Sequence, residues 1–306
     1  MITFTKNKIK KFTIEILMKK ILITGSEGFL AKNFINNVKE KIKFYKFDKK
    51  INGDLAKKKK FPEVDYVLHL AAFNSTKDFY NNPLKVIYDN FFPTYNLINY
   101  YKNQKKKPIF IFTGTPEIAS GAVDLFGYKV PTDEKVPSVI PDILNKRWSY
   151  AGSKSLSEQL VIHSGLKFII VRPHNVYGQF QKNHFIPEFI NRSYKNKIEL
   201  YGWKNKRSWL HVDDFCEALK MVIQSKKCIN QIINIGSNFE MSTLNVAKLI
   251  LQYKYPNKSK KIIKKNAPQG SALIRIPDIR KIKKLTGWEP KIKVKEGIKK
   301  LIEYGK

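Results

Sequence analysis

A short apolar run, Lys20 to Thr24, ends at Gly25-Ser26-Glu27-Gly28-Phe29-Leu30-Ala31, and this junction restricts the fold more than any other stretch of the 306 residues. A buried strand that stops at a glycine and resumes as a helix opens a βαβ unit. The spacing Gly-x-x-Gly-x-x-Gly/Ala lets a backbone approach a pyrophosphate. Gly25 permits the tight turn, Gly28 keeps side-chain atoms away from the phosphate, and Ala31 lets the helix pack closely on the sheet. The helix N-terminus adds N–H donors and the positive end of its dipole. An ordinary tight turn is the alternative. What opposes it is Asp48, twenty residues after Gly28 at the end of the next apolar run, where a carboxylate binds the adenosine ribose hydroxyls. A 2′-phosphate would meet like charge there, which favours NAD, while Lys46, Lys49 and Lys50 keep NADP open.

The alternation continues along the chain. The patterns predict strands at 20–24, 41–47, 66–71, 108–112 and 167–171, and helices at 29–38, 83–101 and 149–163. Such alternation builds right-handed βαβ units and a parallel sheet covered on both faces. The expected fold is therefore α/β, a doubly wound parallel Rossmann sheet with a smaller C-terminal substrate-binding lobe. Residues 18–175 form the NAD-binding domain in this reading. Residues 176–306 form mainly the lobe, with some segments free to return to the first domain. Helices are expected at 211–225, 243–253 and 294–304, and a strand at 232–235. Residues 1–17 are expected to be a poorly ordered extension or a misplaced start, with an extra edge strand as the alternative.

Tyr150-Ala151-Gly152-Ser153-Lys154 places an ammonium one helical turn beyond a phenol. A tyrosine with a pKa of about 10 is a poor base at neutral pH. A neighbouring ammonium favours the phenolate, and the phenolate takes a hydroxyl proton while a hydride leaves the same carbon. Lys154 is also expected to hold the nicotinamide ribose. Thr115, beyond the strand at 108–112, is expected to hold the substrate oxygen, with a strand-end cap as the alternative.

The net charge of +33 invites a nucleic-acid reading. The chain, however, has six arginines against fifty-two lysines, and base and phosphate readers lean on arginine forks. Runs such as Lys57–Lys60 and Lys105–Lys107 fall between predicted elements and read as solvated loops. Cys216 and Cys228 make no disulfide framework, which fits a reducing cytoplasm. No apolar run is long enough to span a bilayer, and the histidines have no metal-ligand spacing. No nucleic-acid, membrane or metal partner is expected.

Taken in order, the motifs resemble the extended short-chain dehydrogenase/reductases, specifically the NAD-dependent nucleotide-sugar epimerase/dehydratase group. The matching residues are Ile23-Thr24-Gly25 to Leu30, Gly53-Asp54-Leu55, Val67 to Ala72, Asn90, Thr94, Thr115, Tyr150 and Lys154. Further on come Arg172-Pro173-His174-Asn175-Val176-Tyr177-Gly178, Arg207 to Asp214, Asn234 to Ser237 and Gly287-Trp288-Glu289-Pro290. The resemblance implies cofactor contacts from Gly25, Gly28, Phe29, Leu30, Asp48, Asp54, Leu55, Leu70, Ala71, Ala72, Tyr150 and Lys154. It implies catalytic roles for Thr115, Tyr150, Lys154 and Glu117. Substrate contacts fall to Thr115, Asn175 and Arg207, where Arg207 clamps the diphosphate unless it bridges the lobes as a salt bridge. A homodimer through the helices holding Asn90 and Tyr150 is also implied.

The family's shared first step is oxidation at sugar C4. Epimerases then return the hydride to the other face, 4,6-dehydratases eliminate water, and decarboxylases lose carbon dioxide. Pro116 departs from the acid/base pair of one dehydratase group, while Glu117 is compatible with the other reactions. The reading is a nucleotide-sugar 4-epimerase. A dehydratase, decarboxylase or 4-keto-sugar reductase is the alternative, and a non-catalytic NAD-binding protein a remote one.

Overall fold

The computed structural model describes residues 19–38 and 42–304. The expectation for residues 1–17 lies outside them, as does the start of the strand expected from Lys41. Six strands form one sheet in the order Gln231–Ile235, Phe168–Pro173, Ile109–Thr113, Tyr66–His69, Lys20–Thr24 and Lys43–Phe47. Every neighbouring pair is parallel. The direction in which strands are added reverses between Lys20–Thr24 and Tyr66–His69. That reversal leaves a crevice at the C-terminal strand ends, where the loops diverge.

Strand periodicity explains the two cores. Ile21, Ile23, Leu68, Ile111, Ile169 and Val171 point to one face, against Phe34 and the Val212–Gln224 helix. Leu22, Val67, Phe110, Phe112 and Ile170 point to the other, against Leu97, Ile98 and Tyr101 of the Pro83–Lys102 helix and Val161 of the Ser149–Ile162 helix. Both faces are covered, so the strands read as near-continuous apolar runs. A third core, with Ile186, Phe189, Ile198, Leu200, Trp209, Val246, Ile250 and Ile298, belongs to the C-terminal lobe.

The lobe is not continuous in sequence. The Val212–Gln224 helix and the Gln231–Ile235 strand return to the sheet, and Ile282 and Trp288 pack into the same core. The chain crosses between the two parts several times, which brings loops from both to the C-terminal strand ends.

Candidate active site

The glycine turn is shaped by one close approach. Gly25 has φ +68°, and a Cβ there would lie 2.8 Å from Ala71 N and Cα, so the loop after Tyr66–His69 packs directly on the turn. Thr24 Oγ1 accepts Ala71 N–H at 3.3 Å and lies 2.6 Å from His69 Nδ1, whose other nitrogen is 3.0 Å from Thr94 Oγ1. Burial, aided by the charge of Lys154, brings His69 down to about 3, so it stays neutral between two hydroxyls. The Phe29–Asn37 helix begins at Gly28 with no side-chain cap, and its first internal bond is Lys32 N to Gly28 O at 3.0 Å. The Phe29 and Leu30 N–H groups have no acceptor among the described residues and point out of the helix start.

Asp48 is set against this turn. Its Oδ2 accepts Glu27 N–H at 3.0 Å, and its Oδ1 accepts Lys50 N–H at 3.0 Å. Asp54 caps the short helical turn Leu55–Lys57 by accepting Ala56 N–H at 2.9 Å, and Leu55 is buried. Ser26 Oγ is buried with no partner among the described residues. Free backbone donors, a turn that excludes Cβ atoms, an unpartnered hydroxyl and a carboxylate at the second strand end fit a dinucleotide. Leu70, Ala71 and Ala72 follow the third strand of the same crevice.

The Ser149–Ile162 helix presents Tyr150, Lys154 and Ser157 on its buried face. Ser157 Oγ donates to Asn90 O of the Pro83–Lys102 helix at 3.2 Å, and small serines here let the two helices approach. The Thr115 hydroxyl lies near the Tyr150 phenol and favours its charged form. Burial raises the phenol well above its ordinary value, reinforced by Glu117 and opposed by Thr115, Arg147 and Arg275. Lys154, expected to act on the phenol, stands with its Nζ 4.1 Å above the Phe112 ring. Burial brings it down to about 7, with Glu158 opposing. Thr115 also caps the turn Pro116–Ala119, its Oγ1 accepting Glu117 N–H at 3.3 Å, which is the capping alternative.

Phe79, from the Thr76–Asn81 helix, stacks on Tyr150 with ring centroids 4.8 Å apart and 13° between planes. The Arg147 guanidinium lies 4.9 Å from the Phe79 centroid. Arg147 also meets Glu117 Oε2 at 2.5 Å, and Arg275 Nη1 donates to Glu117 Oε1 at 3.3 Å. Burial alone would raise Glu117, but Arg147 and Arg275 hold it down to about 2. It is a fixed anion at neutral pH.

Arg207 is 8% exposed and donates to three backbone carbonyls, those of Lys206, Leu273 and Ala272, the last at 2.6 Å. It makes no ion pair among the described residues, so the salt-bridge alternative finds no carboxylate. Burial, with repulsion from Arg275, brings it down to about 9. Three arginines thus converge where there is one firmly paired carboxylate, a surplus that suits a diphosphate. Asn175 sits at φ 39° and donates to Ser208 O at 2.9 Å, beside the strand that carries Arg207.

The structure brings Thr115, Tyr150 and Glu117 together, with Lys154 one turn beyond Tyr150 on the same buried helix face. Sequence reasoning missed Phe79, Arg275 and His184, which also faces Glu117, and it read Arg147 only as part of a resembling stretch. The one available signal was scarcity: with six arginines in the chain, each carries information that a lysine does not.

The model of the NAD dependent epimerase/dehydratase family matches residues 21–236. The chain is 32% identical over 282 residues to a dTDP-D-glucose 4,6-dehydratase of Dictyostelium discoideum, covering 78% of this chain but only 62% of that protein. It is 29% identical to a UDP-N-acetyl-alpha-D-glucosaminuronate decarboxylase of Bacillus cytotoxicus, covering 94% of this chain and 98% of that protein. The structure of UDP-glucose 4-epimerase with UDP-glucose from Thermotoga maritima superposes with a TM-score of 0.75 at 22% identity, over 94% and 98% of the two chains. The last likeness speaks for the fold.

Proposed function

The chain belongs to the NAD dependent epimerase/dehydratase family, an enzyme family with NAD as cofactor, and from that premise we propose that it is a nucleotide-sugar 4-epimerase. NAD, when bound, supplies the hydride acceptor. Phe29 and Leu30 N–H, with Asp48, Asp54 and Leu55, hold the dinucleotide. Arg207, with Asn175, holds the diphosphate of the nucleotide sugar. Thr115 orients the sugar hydroxyl, Tyr150 takes and returns its proton, and Lys154 holds the nicotinamide ribose and the charge that favours phenolate.

One observation carries the choice of reaction. Among the described residues, the carboxylate that follows Thr115 is not poised to move a proton. Pro116 has no acid, and Glu117, held near 2 by Arg147 and Arg275, neither donates a proton at neutral pH nor accepts one well. Epimerisation needs proton transfer at a single oxygen, whereas elimination of water needs a further acid and base. The arginine surplus favours one second reading, loss of carbon dioxide from a nucleotide-linked uronic acid whose carboxylate would meet Arg147 and Arg275.

Incubation with a panel of nucleotide sugars, read by mass and NMR, tests this. Unchanged mass with inverted C4 is the expected result. Loss of water or of carbon dioxide would replace epimerase by dehydratase or decarboxylase.

We also propose a homodimer through the Pro83–Lys102 and Ser149–Ile162 helices. Leu84, Tyr88, Phe92 and Tyr95 form an exposed apolar stripe on the first, and Leu156 is exposed on the second. Light scattering is expected to give a dimer mass for the wild type and a monomer mass for Leu84→Lys/Tyr95→Lys; a monomeric wild type refutes it. No helix among the described residues is long and apolar enough to cross a membrane.

A further inference from the structure

The helix that carries Tyr150 and Lys154 buries a third ionisable group on the same face. Glu158 stands one turn beyond Lys154, as Lys154 stands one turn beyond Tyr150, and it is 3% exposed. Its Oε1 accepts Arg172 Nε–H at 3.1 Å and its Oε2 accepts Nη2–H at 2.6 Å, the two-point geometry in which a guanidinium fixes a carboxylate. Arg172 comes from the end of the Phe168–Pro173 strand and is itself buried, its Nη1 reaching Glu134 O at 3.4 Å. Gly114, at the end of the neighbouring strand, leaves the space. A Cβ there would collide with Glu158 Oε1 and stand 3.3 Å from Arg172 Cγ. Strand end, turn and helix are all fitted around one carboxylate that has no part in the glycine turn or the arginine cluster.

One turn before that carboxylate, on the same buried helix face, stands Lys154. The ammonium lies over Phe112 and makes no ion pair within 4 Å among the described residues. His69, from the Tyr66–His69 strand, is neutral; Tyr150 is neutral; Arg172 is spent on Glu158. Glu158 is the one carboxylate among the buried residues of the Ser149–Ile162 helix, and its charge favours the Lys154 ammonium.

We propose that Glu158 is a positioning residue of the proton site: locked by Arg172 in the space left by Gly114, it is the buried counter-charge that keeps Lys154 charged and aligned. The proposal rests on the reading of Lys154 given under the proposed function. Removing the carboxylate makes the ammonium less favourable, so Lys154 loses its proton at lower pH. In Glu158→Gln the alkaline limb of kcat/KM is expected to move down by about one unit. Turnover above the limb then falls about tenfold, while turnover below it stays within about threefold. Glu158→Asp keeps the charge and the Arg172 partner and is the variant safest for folding; it is expected to shift the limb in the same direction by less.

Titration of the Lys154 ε-carbon by NMR, in the wild type, Glu158→Gln and Glu158→Asp, reads the same quantity without turnover. A uniform loss at all pH values, or a Lys154 titration that ignores both substitutions, overturns the proposal. Failure of the underlying reading looks different: Tyr150→Phe would then turn over normally, whatever happens at Glu158.

Discussion

Tyr150→Phe is expected to lower kcat on the true nucleotide sugar by about 10²–10⁴-fold, the usual contribution of a positioned acid or base. The substitution is conservative in every other respect. Phe keeps the ring that stacks on Phe79 at 4.8 Å, and the residue is 8% exposed, so packing survives. What goes is the hydroxyl near Thr115, on the helix face that also buries Lys154. NAD affinity, read by fluorescence titration, is expected to change by less than about threefold, because the glycine turn and Asp48 are untouched. KM is expected to move little, which would place the loss in the reacting state rather than in ground-state binding. A variant with near-normal kcat would remove the phenol from the chemistry and with it the epimerase reading.

Glu117→Gln is expected to strike stability instead. Among the described residues Glu117 alone pairs with the buried Arg147 and Arg275, and breaking such a set by removing one partner costs about 3–5 kcal/mol. That is roughly 10 °C in melting temperature for a chain of this size. The pH dependence has a definite sign. The folded-state carboxyl titrates at about 2, below an unfolded glutamate, so its stabilisation is complete above about pH 4.5. The stabilisation drains away as pH falls toward 2. Melting curves of wild type and variant should therefore lie far apart at pH 7 and draw together at pH 3. Kinetically, the variant's defect is expected in KM for the nucleotide sugar, because the two arginines lose their anchor. A collapse of kcat like that of Tyr150→Phe would instead make Glu117 a proton carrier and favour a dehydratase.

The sheet was legible because its strands carry local signals. Ile21 to Ile23, Val67 and Leu68, and Phe110 to Phe112 are apolar on both faces, and each run stops at a turn residue or a loop. The Gln231–Ile235 strand shows the limit of such signals. Its apolar pattern announces a strand but not which sheet it joins, and it lies between segments that build the other lobe. Strands of two or three residues, such as Val176–Tyr177 and Lys206–Ser208, are too short to show any period. In the site, Tyr150 and Lys154 declare themselves by spacing on one helix. The glutamate and its arginines do not. Glu117, Arg147 and Arg275 come from three separate segments, and no local pattern tells an arginine that will meet a buried carboxylate from one that will face water. Glu158 was hidden for a different reason: a carboxylate on a helix reads as solvent-facing until its partner strand is in place.

Phe79 gives the molecule a mechanical link. Its ring stacks on the phenol and lies 4.9 Å from the Arg147 guanidinium, and its neighbour Tyr80 holds the Gln269 carbonyl at 3.2 Å, on the segment leading to Arg275. That loop and the stack are joined through Tyr80, whose hydroxyl bonds the one while its neighbour Phe79 belongs to the other. The segment that carries Gln269 is thus tied, through two adjacent aromatic residues, to the helix that carries Tyr150.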